Sequence, residues 1–222
     1  MSLNLLIINP NSSESVTTNL ANLLTEPEGI VFHYFTAPEN APKEIDGYEE
    51  TVIASTEACI PSLERIKDQY DGFLVCCYSD HPLIYKLRNI TSKPVLGIFQ
   101  ASLVYSLSKS PSKFGILTST TSWESILDKS VVDFFGGVKI PLFNGTIAAN
   151  VNVLKLGDPK YYSLLEERTK ILVERGSEII LLGCAGLSGL EPKLKKSFPG
   201  VQFIDTVKIG SELLVSFSRF EK

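Results

Sequence analysis

Short apolar runs alternate with helix-patterned segments from one end of this chain to the other, and that alternation is the strongest constraint on its fold. Runs at Leu3–Ile8, Ile30–Phe35, Phe73–Cys77, Val95–Ile98, Phe114–Leu117, Glu178–Cys184 and Val201–Ile204 predict strands. Several are apolar on successive residues, as a strand covered on both faces requires. Between them, helical periodicity predicts helices over Glu14–Leu24, Tyr48–Lys67, Leu83–Arg88, Trp123–Phe134, Tyr161–Arg175 and Ile209–Phe217. Ser13 precedes a stripe of Val16, Leu20 and Leu23, and Ser122 precedes "WESILDKSVVDFF"; serine is a preferred helix cap. The alternation predicts an α/β fold with parallel sheets and crossover helices.

Composition narrows the partners. With 222 residues, 44% of them hydrophobic, the chain can bury a sizeable core without staples. A net charge of -4 and the lack of a long basic run argue against nucleic acid or anionic membrane as principal partner. No apolar stretch is long enough to span a bilayer. The opening "MSLNLLIINPNSS" has no basic segment and reads as a first strand, not a leader. The expected location is cytoplasmic, where Cys59, Cys76, Cys77 and Cys184 stay reduced. Their spacing fits no zinc pattern, and adjacent cysteines rarely ligate one ion, so neither a metal nor a disulfide is expected.

The chain also echoes itself. "LLIINPNSSES" and "FGILTSTTSWES" share an apolar strand, a hydroxyl-rich turn and a helix. "GFLVCCYSDHPL" and "EIILLGCAGLSGL" share an apolar strand ending in cysteine, then a small-residue turn and a helix. Two similar lobes would explain the repeat; chance likeness among α/β pieces would too. Pro111–Lys113 marks a place to cross between lobes, and "APENAPKEIDGY" is a loop of a length that is often functional.

In open parallel sheets, ligands sit outside the carboxyl ends of the strands, and both cysteine motifs lie at such ends. A thiol at a helix N-terminus has its pKa lowered and can serve as a general base. Two such thiols on opposite faces of a substrate could invert a stereocentre, one removing a proton and the other returning one. The resulting carbanion needs oriented donors. Candidates are Asn9, Asn11 and Ser12 of the first turn and Thr118 and Ser119 of the second. Ser79 and Asp80 follow Cys77 and would cap a helix or bind substrate. Around Ala185, Gly186 and Leu187 the backbone N–H groups could approach a ligand closely. Other readings stand beside these. Cys76 should point away from Cys77 and pack, as should Cys59; Cys77 or Cys184 alone reads equally as packing, and the polar turns as plain turns and caps. His81 reads as a surface residue at a helix start and His33 as structural.

These segments resemble the hydantoin and allantoin racemases of the aspartate/glutamate racemase superfamily over essentially the whole chain. "INPNSSESVT" looks like the family's first strand and turn. "CYSDHPL" resembles its first catalytic cysteine segment and puts that role on Cys77; "LLGCAGL" is similar to the second and puts it on Cys184. "PKEIDGYEE" resembles a loop whose isoleucine, here Ile45, faces the substrate. The likeness is strongest to fungal members linked to nitrogen catabolism. It implies two pseudo-symmetric Rossmann-like lobes, residues 1–97 with 207–222 and residues 98–206, with the active site in the cleft between them. It also implies a small five-membered-ring substrate, a cofactor-independent two-base mechanism and a homo-oligomer. The chain departs from the pattern at Gln100, where glutamate is common, at His81, where proline is usual, and at Tyr78-Ser79. A decarboxylase or isomerase acting on a small dicarboxylate would keep one of the two cysteines and want cationic groups, which these turns lack. A non-catalytic binding protein on the same scaffold would retain the turns but need not retain both thiols.

Overall fold

A computed structural model describes residues 2–221 of the chain. The chain divides into two compact units, one running through Ala101 and resuming at Val207, the other spanning Ser102–Thr206. The first contains β1 (Leu3–Asn9), α1 (Glu14–Leu23), β2 (Ile30–Thr36), α2 (Glu49–Ile66), β3 (Gly72–Val75), α3 (Pro82–Arg88) and β4 (Val95–Gly97). Helix α4 (Ile98–Ser108) carries the chain into the second unit, which contains β5 (Phe114–Thr118), α5 (Ser122–Phe134), β6 (Phe143–Ala148), α6 (Tyr162–Glu174), β7 (Ile179–Leu182), α7 (Glu191–Ser197) and β8 (Gln202–Asp205). Helix α8 (Thr206–Phe220) then supplies the last element of the first unit.

Each unit holds a four-stranded parallel sheet, and the orders correspond: β2-β1-β3-β4 and β6-β5-β7-β8. The correspondence reaches single hydrogen bonds. Just past β3, Cys76 N–H donates to the Ile8 carbonyl of β1; just past β7, Gly183 N–H donates to the Leu117 carbonyl of β5, both at 2.8 Å. Ala37 N–H reaches Asn9 O at 3.0 Å, and Ala149 N–H reaches Thr118 O at 2.8 Å. Asn9 thus corresponds to Thr118, and Cys77 to Cys184. The internal echo is a repeated α/β topology, not chance likeness.

Continuous apolar runs suit strands buried on both faces. In the first unit, Leu6 and Ile8 of β1 with Phe73 and Val75 of β3 pack on Ala58, Cys59 and Leu63 of α2 and Leu83, Ile84 and Leu87 of α3. Helix α8 covers the opposite face so closely that a Cβ at Gly210 would lie 3.1 Å from Leu74. In the second unit, Leu117, Ile180 and Leu182 pack with Leu165 and Leu172 of α6 and Leu194 of α7. Each fully buried leucine contributes about 2–3 kcal/mol relative to exposure.

The structure also departs from the predicted elements. Strand β6 was not expected, because Asn144 and the positive-φ Gly145 interrupt its pattern. It is an edge strand whose outer N–H groups are taken by α5: Thr146 donates to Asp128 at 2.9 Å and Ala148 to Glu124 at 2.7 Å. Those bonds blunt the edge. Helix α4 was missed because its apolar residues form no single stripe, and α7 because Leu194 is its one buried residue, which leaves no stripe to read. Pro111–Lys113 lies inside the second unit; the crossing occurs within α4. Ser122 is the first residue of α5, behind Thr121 at the cap position. No helix among the described residues is long and apolar enough to cross a membrane.

Candidate active site

Strand β3 ends at Val75, so Cys76 and Cys77 stand just beyond it. Cys76 is held by its ladder bond and buried, with its Sγ 3.9 Å from the Leu74 carbonyl. It packs, as expected. Cys77 is half-buried in the turn that follows, with its Sγ 3.4 Å from the Ser79 hydroxyl. Burial pushes the Cys77 thiol up to about 11, while the Ser79 contact pulls the other way. The expected lowering by a helix N-terminus is therefore reversed at Cys77. The physical reason is position: α3 begins only at Pro82, so the helix end lies five residues beyond Cys77 and cannot offset desolvation.

The residues after Cys77 also take different tasks from those expected. Asp80 does not cap α3; its Oδ1 accepts from the Tyr85 hydroxyl and from Gln100 Nε2, each at 2.6 Å. The hydrogen bond to Asp80, then burial, raises the Tyr85 pKa. Gln100 therefore supplies a neutral donor where a glutamate would bring a second carboxylate against Asp80. The cap is His81, which is buried and not on the surface. His33 meets Asn4 Oδ1 at 2.9 Å and packs edge-on against Tyr70, a structural role.

The turn after β1 is largely self-consuming. Asn9 is buried, donates through Nδ2 to Ser13 O at 3.0 Å and Thr17 Oγ1 at 3.1 Å, and accepts the Asn11 N–H at 3.2 Å. Ser12 donates from its hydroxyl to Ala41 O at 2.8 Å and from its N–H to Pro42 O at 2.9 Å. Ser13 occupies the cap position of α1, yet its hydroxyl donates to Lys43 O at 2.8 Å. Together these bonds staple the loop that carries Ile45, itself buried, onto the turn. Asn11 Oδ1 accepts the Ser13 N–H at 3.0 Å. Its amide NH2 has no protein partner among the described residues, so this turn keeps one side-chain donor unspent.

The second unit builds its cysteine turn differently. Cys184 is buried and stands directly before a single 3-10 turn, Ala185–Leu187, with its carbonyl accepting the Leu187 N–H at 2.9 Å. Leu187 is fully buried in the core, so its side chain is packing. At Gly186 a Cβ would lie 2.5 Å from the Val153 carbonyl, so glycine there answers a protein neighbour, whatever else approaches the turn. Thr118 and Ser119 are buried at the end of β5, and the Thr118 hydroxyl donates to Gly183 O at 2.9 Å. Asp205, at the end of β8, was missed by sequence reasoning. Its carboxylate accepts from the Ser188 hydroxyl at 2.9 Å and the Gly189 N–H at 2.8 Å, clamping the segment after Cys184. The available signal was an acid directly after a predicted apolar strand, at the end where ligand-side residues gather.

The candidate residues thus form two groups, each at the carboxyl ends of the two central strands of its own sheet. In the first unit these are Asn9, Asn11, Ser12, Cys77, Ser79 and Asp80, with Ile45 on the loop that follows the edge strand β2. In the second they are Thr118, Ser119, Cys184, Ala185, Gly186 and Leu187. All four cysteines carry thiols, and no group of three His, Cys, Asp or Glu among the described residues is placed to hold a metal ion.

Known proteins share this organisation. Residues 5–214 match the family described as Asp/Glu/Hydantoin racemase. Over 243 residues the chain is 36% identical to Protein DCG1 of Saccharomyces cerevisiae, covering 99% of this chain and 98% of that protein. It is 28% identical over 207 residues to the hydantoin racemase of Pseudomonas sp. (strain NS671), covering 92% and 81% of the two. The solved allantoin racemase of Pseudomonas fluorescens matches with a TM-score of 0.87 at 18% identity, over 99% of this chain and 92% of that one, a likeness of fold. By its matched length and by the agreement of its relatives, the chain belongs to the Asp/Glu/hydantoin racemase family.

Proposed function

We propose that the protein is a cofactor-independent racemase of a hydantoin-type ring, a 5-substituted hydantoin or allantoin, and that Cys77 and Cys184 are its two acid/base groups. The observation that carries this reading is the equivalence of the two cysteine turns. Each thiol follows the second central strand of its sheet, beside a polar turn that ends the first. Inversion removes the ring-carbon proton on one face and returns a proton on the other. In one direction Cys184 is the base and Cys77 the acid; in the reverse direction the roles exchange. A thiol pushed up to about 11 is protonated at neutral pH, which suits Cys77 to the acid role in the resting enzyme.

Charge that leaves the ring carbon collects on the adjacent carbonyl oxygen. The Asn11 amide and the Ala185 and Gly186 N–H groups are the donors proposed for it, and removal of one such donor costs about 10²–10³ in rate. Lys and Arg are missing from both turns, which favours a neutral or weakly acidic ring over a dicarboxylate. The same reading takes a small-molecule substrate, a cytoplasmic location and a homo-oligomer.

The test is incubation of an enantiopure 5-substituted hydantoin, and separately (S)-allantoin, in D2O. Optical rotation should fall faster than the spontaneous rate, with deuterium entering the ring carbon. Cys77→Ser and Cys184→Ser should each abolish inversion, each leaving exchange on one face. Full inversion by both single variants would sink the two-thiol mechanism, and no rate above background on either ring would sink the substrate class.

A further inference from the structure

Beneath the Cys77 turn runs a buried polar chain that the proposed chemistry does not use. His81 opens α3 at 0% exposure, and its Nδ1 accepts the Leu83 N–H at 3.2 Å. That bond sets the neutral tautomer with its proton on Nε2. The Ser55 hydroxyl lies 3.5 Å from Nε2. Ser55, equally buried on α2, donates its own hydrogen to the Pro10 carbonyl at 2.5 Å, so a lone pair is left to face the imidazole N–H. One helical turn on, Cys59 adds a weak thiol contact to the same carbonyl at 4.0 Å. Donors and acceptors therefore run one way, from His81 through Ser55 to Pro10. The chain joins the segment that follows Cys77, the middle of α2, and the centre of the Asn9–Pro10–Asn11 turn.

We infer that His81 and Ser55 are positioning residues for Cys77, locking the thiol's turn to the asparagine turn beside it. The Pro10 carbonyl points inward, and a buried carbonyl without a donor must find one. Without Ser55 the turn would rotate toward water and displace Asn11 with it. Loss of the His81 link would free the start of α3, to which the Cys77 segment is tethered. Burial supports the arrangement by pushing the imidazole down to about 4, so that it is neutral in the working range. The inference rests on the racemase reading only for the chemistry the thiol performs; the linkage itself is geometric.

Two variants separate the linkage from the helix cap. Ser55→Ala removes the link and keeps the cap, and His81→Asn keeps a capping side chain that is too short to reach Ser55. Iodoacetamide labelling at pH 8, with peptide mapping by mass spectrometry, reads Cys77 and Cys184 separately. Each variant should raise the Cys77 rate roughly tenfold, as one lost hydrogen bond allows. The double variant should add little to the larger single effect, and Cys184 should stay within about twofold of wild type. Ser55→Thr, which retains the hydroxyl, should behave as wild type. An unchanged Cys77 rate in folded Ser55→Ala, or both thiols rising together, overturns the inference. So does an Nδ1-protonated His81 in the ¹⁵N spectrum of the wild-type protein, a measurement that needs no variant to fold. If the racemase reading fails instead, wild type takes up no deuterium on the hydantoin while the Cys77 labelling contrast stands.

Discussion

The two cysteine turns share a topology and differ in what holds them. The Cys77 turn is tied in by neutral groups: the His81–Ser55–Pro10 chain below, the Asn9 amide beside it, and serine hydroxyls that staple the Ile45 loop, while the exposed Asp80 carboxylate holds Tyr85 and Gln100. The Cys184 half rests on an anion, the Asp205 carboxylate, and on tight backbone packing at Gly186. Repeated topology therefore fixes where a thiol sits relative to its strands, while the supporting chemistry is free to diverge. The halves should respond differently to the same perturbation.

Acid gives the largest contrast. Both histidines of the chain lie in the first unit, and burial pushes His81 down from 6.5 to about 4. A group whose folded pKa lies below its unfolded value favours folding above the unfolded pKa when its charged form is a cation. The stability is therefore fully present above pH 6.5 and lost as pH falls toward 4. The loss totals about 3 kcal/mol. Amide exchange around α3 should accelerate over that window before exchange in β5 and β7 does, and His81→Asn should flatten the dependence. Simultaneous opening of both sheets in wild type would break the distinction.

Asp205→Ala should act on the other half. It strands the Ser188 hydroxyl and the Gly189 N–H, at a cost of about 2 kcal/mol by denaturant unfolding. Thiol labelling should rise at Cys184 and stay flat at Cys77, the mirror of the Ser55→Ala result. Equal rises at both thiols would mean that the clamp stabilises the protein generally and not its own half.

What the residue pattern disclosed followed the same division. Continuous apolar runs located seven of the strands, and the position of each cysteine after its strand was visible because it depends only on local order. Strand β6 was hidden because Gly145 breaks its pattern and α5 carboxylates, distant in sequence, satisfy its edge. The tasks of individual polar side chains were hidden for a related reason. Ser12 and Asn9 read as donors for a ligand, but their partners lie on Ala41 and Thr17, and only folding brings those into reach. His81 read as exposed because no periodicity marks a buried cap. Asp205 was passed over because its partners, Ser188 and Gly189, belong to another segment.

Gly186→Ala is the third test and should cost about 1.5 kcal/mol, since the obstacle is a backbone carbonyl that cannot swing aside. Relief requires the turn after Cys184 to shift, so inversion should slow by more than the stability change accounts for. Wild-type turnover in a folded Gly186→Ala protein would show that the turn tolerates displacement, and would remove backbone packing from the account of this half.

The smallest effect tests the bond between Gln100 and the exposed Asp80 carboxylate. In Gln100→Glu a carboxylate replaces the amide that donates to Asp80 at 2.6 Å, with the Tyr85 hydroxyl still bound to the same oxygen. Near neutral pH both acids are charged, the bond is lost and the carboxylates repel. Asp80 is exposed, so solvent screens the repulsion and the cost stays below about 1 kcal/mol. As pH falls through the carboxylate range the new glutamic acid gains a proton, becomes a donor and restores the bond. The melting temperature of Gln100→Glu, taken relative to wild type at each pH to cancel the His81 contribution, should therefore recover on acidification. A difference that stays constant from pH 8 to pH 4 would mean that the Gln100–Asp80 bond contributes nothing. The support of Cys77 would then lie in the His81–Ser55–Pro10 chain, the Asn9 amide and the serine hydroxyls, with no part for Gln100.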